Sequence, residues 1–101
     1  MKNMIDKSRN LSVADLNADE REFLARTRNI VQSNANPSRA VRRLVKIGFR
    51  IETVSKNGHY RLSHEFMGAI KVTFGSSPSD IRYALNFVRE VRYAVYLRHA
   101  S

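Results

Sequence analysis

The sequence predicts an α+β fold: α-β-β-β-α, a three-stranded antiparallel sheet with two helices on one face, preceded by an extra N-terminal helix. Three observations carry this. Residues 49–74 alternate apolar and polar side chains in three short runs, split by Asn57-Gly58 and by a turn around Gly68. The stretches on either side space their apolar residues at helical intervals. Two helices suffice to bury one face of so small a sheet, which leaves the other to water.

Residues 1–12 are polar and irregular and are expected to form a flexible N-terminal segment. Residues 13–35 read as an N-terminal helix and linker. The helix starts at about Val13 or Ala18 and ends at about Gln32, with Asn17, Asp19 and Glu20 as a starting signal. Phe23, Leu24, Ile30 and Val31 are its apolar residues. Its net charge is close to neutral, which suits packing on the domain or pairing two copies better than occluding a site.

Residues 36–101 then read as the main domain. Asn36 is an N-cap and Pro37 suits the first helical position. Val41, Leu44 and Val45 form a narrow apolar stripe, and Gly48 ends the helix in a left-handed conformation. Arg39, Arg42, Arg43 and Lys46, at i, i+3, i+4 and i+7, share the opposite side. Such a row is either a solvated face or a phosphate contact. No acid interrupts it and the charges repel one another, which favours phosphate.

Phe49 to Val54 is the first strand, with Phe49, Ile51 and Thr53 opposite Arg50, Glu52 and Val54. In the second, Tyr60 and Leu62 lie opposite His59 and Arg61. In the third, Ile70, Val72 and Phe74 lie opposite Lys71 and Thr73. The last helix begins at Ser77 as N-cap, with Pro78 at N1 and Asp80 at N3. Its buried face is Ile81, Ala84, Leu85, Val88, Val91 and Val95, while Arg82, Asn86, Arg89 and Arg92 point away. Tyr83, Phe87, Tyr93 and Tyr96 widen the apolar arc as core or boundary residues rather than as a base-stacking platform.

Composition narrows the function classes. The 101 residues contain no cysteine, so disulfides, cysteine-based zinc sites and a thiol nucleophile are excluded, and a cytoplasmic location is expected. No stretch has membrane-spanning length. No cluster of histidines and carboxylates has metal-ligand spacing, and no glycine pattern for phosphate or dinucleotide loops occurs, so no metal and no cofactor is expected. The net charge is +9. Residues 1–35 carry six basic and five acidic side chains, whereas residues 36–101 carry twelve and four. A polyanion, RNA above all, is the expected partner of the second part.

His59 is the candidate for chemistry. If Tyr60 and Leu62 face the helices, His59, Arg61 and Lys71 face outward, with Lys56 in the adjoining turn. Neighbouring cations favour a neutral imidazole, which can take the proton of an RNA 2′-hydroxyl. Arg61 and Lys71 would then steady the charge on the phosphate under attack. The bland alternative is a surface histidine beside a turn. His64, in the next turn, could with Glu65 be a second proton carrier. His99 is read as inert and in the tail.

The runs Val45-Lys46-Ile47-Gly48-Phe49-Arg50, Lys56-Asn57-Gly58-His59-Tyr60 and Ile70-Lys71-Val72-Thr73-Phe74 together resemble the HicA family of toxin ribonucleases. The resemblance covers about Pro37 to Leu97. It implies a fold like that of double-stranded-RNA-binding domains, metal-independent cleavage of RNA, His59 as the catalytic residue and a HicB-like antitoxin as partner. The family has a serine between its glycine and histidine, where Gly58 directly precedes His59. Gly75-Ser76 stands where the family often has proline and histidine, and the N-terminal helix has no counterpart in the minimal domain. Besides a ribonuclease, the sequence therefore admits a non-catalytic nucleic-acid-binding module of the same fold and a basic protein–protein interaction domain.

Overall fold

A computed structural model describes residues 16–34, 36–56, 58–75 and 81–100, with the side chains of the last helix from Ala84 onward. The elements are α1 (Ala18–Ser33), α2 (Pro37–Lys46), β1 (Arg50–Val54), β2 (Tyr60–Ser63), a 3-10 turn (Glu65–Met67), β3 (Val72–Phe74) and α3 (Ile81–Ala100). The class and order are those expected. The segment 1–12, the alternative helix start at Val13, Asn57, and the cap at Ser77, Pro78 and Asp80 lie outside the described residues.

The starts of α1 and α2 each have a chemical cause. Asn17 Oδ1 accepts from the Glu20 N–H at 2.8 Å, and Glu20 Oε1 accepts from the Asn17 N–H at 2.9 Å. This reciprocal box satisfies two amides with no intrahelical partner. Asn36 accepts from the Ser38 N–H, with Pro37 at the first helical position. At the far end of α2, Gly48 adopts φ 107°, as expected of a residue that stops a helix.

The strands are ordered β1-β2-β3, antiparallel throughout. In β2 and β3 the alternation holds. Tyr60 pairs with Phe74 and Leu62 with Val72, and the last three are buried. Arg61 pairs with Thr73, and both are exposed. β1 departs from the expected pattern. Its register slips between Ile51, opposite Leu62, and Thr53, opposite Arg61, so Glu52 is an extra residue. Beyond this bulge the faces exchange: Thr53 joins Arg61, and Val54 joins Tyr60. All five β1 residues are exposed: α3 packs on β3, and β1 is the edge at the other side of the sheet.

One core unites the elements. α3 packs on β3 and on the 3-10 turn, and α1 packs on both α3 and α2. Leu16, Phe23 and Val31 belong to the same buried cluster as Leu44, Phe49, Leu62 and Phe87. Of the roles open to the N-terminal helix, packing on the domain is the one observed. In α2 the buried residues are Ala40, Val41 and Leu44, while Val45, expected inside, is 43% exposed. In α3 the expected face is rotated. Phe87, Val91, Ala94, Val95 and Tyr96 are buried, Ala84 and Val88 are half-buried, and Leu85 is 54% exposed. Phe87 packs on Phe49 and Phe74, and a buried aromatic contributes more than a leucine. Leu85 is left over the seam with α1.

Candidate nucleic-acid interface

The open side of the sheet is built in rows by the two registers. The middle row is Thr53, Arg61 and Thr73, one from each strand. On one side the ladder continues past β1 and β2: the Ser55 N–H donates to the His59 carbonyl at 2.9 Å, and the His59 N–H donates to Ser55 Oγ at 3.1 Å. His59 therefore takes the position next along, two residues and about 7 Å from Arg61. It is half-buried. Alternation puts it in the parity of Arg61, opposite to that of Tyr60. Lys56 is exposed in the turn just before it.

On the other side of the middle row, Arg50 pairs with Ser63. Lys71, one residue before β3, is exposed there. Sequence reasoning missed a carboxylate in this group. Ser63 Oγ donates to Glu52 Oε2 at 2.6 Å. That hydrogen bond, with help from Lys71 and Arg50, holds the Glu52 carboxyl below its ordinary value against a smaller opposing effect of burial. The bulge that inserts Glu52 places this acid among the cations, and no periodicity in the sequence announces a bulge.

Arg39, Arg42, Arg43 and Lys46 are all exposed on α2. Their helix buries its other side in the core, and that core lies on the helix-covered face of the sheet. They therefore form a second basic surface rather than an extension of the row around Arg61 and Lys71.

His64 lies in the turn after β2, as expected. His64 is buried, 6% exposed, within a ring of Phe23, Phe49 and Phe66. Its Nδ1 accepts from the Phe66 N–H at 3.0 Å, and its Nε2 lies 2.9 Å from the Ile47 carbonyl. The neutral ring with its proton on Nε2 satisfies both partners. Burial lowers its pKa, outweighing the Ile47 hydrogen bond and Glu65, which raise it. With both nitrogens bound to backbone, His64 is a structural clasp and not a second proton carrier. His99 is not in a loose tail. It lies in α3, and its Nδ1 is 3.1 Å from Glu20 Oε1. Arg98 is 3.9 Å from the other oxygen of the same carboxylate.

Among the described residues no three histidines or carboxylates gather as metal ligands, and no helix is long and apolar enough to cross a membrane. Compared with known proteins, the chain matches no family model, no curated protein and no solved structure.

Proposed function

We propose that this chain is a small cytoplasmic RNA-binding protein of HicA-like type that cleaves RNA without a metal, with His59 as general base. The observation that supports it is the ladder at the turn, which extends the pairing to His59, two residues before Arg61 and just outside the central strand. In this reading His59 removes the 2′-hydroxyl proton, and the freed oxygen attacks the adjacent phosphorus. The bond to the 5′-oxygen breaks, that oxygen takes up a proton, and a 2′,3′-cyclic phosphate remains. Arg61 and Lys71 meet the charge that develops on the phosphate. Lys56 holds a flanking phosphate, and Arg39, Arg42, Arg43 and Lys46 meet more distant phosphates of RNA that continues onto the α2 surface. A HicB-like antitoxin is the partner that the resemblance supplies.

Incubation of the purified protein with end-labelled RNA in EDTA tests this. Products ending in cyclic phosphate are expected from the native chain and none from His59→Ala. Intact RNA with both proteins rejects catalysis. A second reading, a non-catalytic nucleic-acid-binding module, is favoured by one observation: the α2 cations lie on a surface of their own and need nothing from His59. RNA bound equally by both proteins and never cut is its signature.

A further inference from the structure

A groove of about 420 Å³ runs between α1 and α3. Leu24 and Val88 line it, and Leu85 stands in it with half its surface exposed. Arg21 and Arg28 border it from α1, and Arg89 and Arg92 from α3. Among the described residues no carboxylate lines it. The nearby Glu22 is held by Arg26, on the same helix, at 2.8 Å. Arg92 approaches the Tyr96 hydroxyl at 3.4 Å, and among the described residues none of the four arginines is paired with an acid.

An apolar trough between two cationic rims is unfavourable when left empty: it exposes leucine to water and sets like charges side by side. The arrangement defines what would relieve it. Arg21 and Arg28 are seven residues apart, two helical turns or about 10 Å. A single anionic head group cannot reach both, but a row of carboxylates can. A trough between two helices also accepts a third helix. We propose that this groove receives an acidic amphipathic helix of a partner protein, its apolar side on Leu24, Leu85 and Val88 and its carboxylates against the four arginines.

A second copy of this chain is a poor occupant, because a two-fold contact would set arginine against arginine. RNA would satisfy the arginines but leave the apolar floor unused. The inference is independent of the cleavage reading, since none of these residues belongs to that site.

The test uses the full chain, isotope-labelled, and a synthetic helical peptide with leucines at i, i+4 and i+7 flanked by glutamates. Two reference probes are the same peptide scrambled and an oligouridine. The amphipathic peptide is expected to move the amide resonances of Leu24, Leu85 and Val88, and to bind at least about tenfold tighter than the scrambled one. Leu85→Asp, at an exposed position that leaves the fold intact, should weaken it about tenfold. An Arg28→Glu/Arg89→Glu variant should lose the acidic peptide and gain one with lysines in place of the glutamates. The proposal is overturned by absence of peptide binding, equal binding of the scrambled peptide, or shifts confined to α2 or the open sheet face. Equal affinity of Leu85→Asp also overturns it, and groove shifts with oligouridine would make the trough a nucleic-acid site instead.

Discussion

Gly48 lies against the His64 imidazole so closely that a β-carbon at position 48 would come within 2.7 Å of Nε2. The same nitrogen is bound to the carbonyl of Ile47, one residue earlier. The corner between α2 and β1 is thus clasped to the corner after β2. Gly48 also holds φ 107°, which a side chain disfavours. Gly48→Ala therefore meets two penalties, and a loss of at least about 2 kcal/mol is expected. Urea unfolding at neutral pH checks it, and a change within error would mean that the corner relaxes freely.

His64 should make stability depend on pH. Its folded pKa lies below the ordinary value of 6.5 because burial disfavours the charged ring. Below about 6.5 the unfolded chain binds a proton that the folded chain refuses, so unfolding becomes easier as pH falls. The decline ends once pH passes the folded value. The measurement is an NMR titration of the His64 ring beside unfolding midpoints between neutral and mildly acidic pH. A His64 ring that titrates at or above 6.5 would contradict the buried neutral state.

Glu20 links the start of α1 to the end of α3. Its carboxylate closes the box on Asn17 and meets His99 and Arg98. Glu20→Ala removes the box and leaves the Asn17 amide without its partner, for an expected loss of about 1–3 kcal/mol. Hydrogen exchange should also speed up selectively in the last turn of α3. Uniform acceleration across that helix would mean that its end is held by other contacts.

The two basic surfaces should respond differently to charge changes if RNA is the ligand. Glu52→Gln takes a negative charge from beside Lys71 and Arg50, so RNA should bind about two- to threefold more tightly. The effect should persist into mild acid, since the depressed pKa keeps the native carboxylate ionised there. Replacing Arg42 and Arg43 by glutamine should reduce the salt slope of binding to a single strand by about 0.7 for each phosphate that is no longer neutralised. Binding measured across a salt series separates these outcomes. An unchanged slope in the arginine variant would remove α2 from the interface.

The order of elements was legible because each signal is local. Asn36-Pro37, Gly48 and the alternation of Tyr60, Leu62, Val72 and Phe74 act within a few residues, and they form what their chemistry dictates. The bulge at Glu52 was not legible, because it depends on which residues the partner strand offers. Nor was the rotation of α3, since Leu85 and Phe87 compete for the core and only packing against β3 and α1 decides between them. Of the candidate site, the parity of Arg61 could be read from the alternation. The clasp formed by His64 could not, because its partners are backbone groups as far as 17 residues away.

The extra residue at Glu52 has a consequence for the molecule in a crowded solution. β1 is an outer strand with Ile51 and Val54 open to water, the kind of border onto which another polypeptide can add itself and begin a fibril. The bulge breaks the even spacing of amides along that border, and Arg50 and Glu52 set charge on it. An incoming strand would fall out of step after two or three residues, so the slip in register also guards the chain against aggregation.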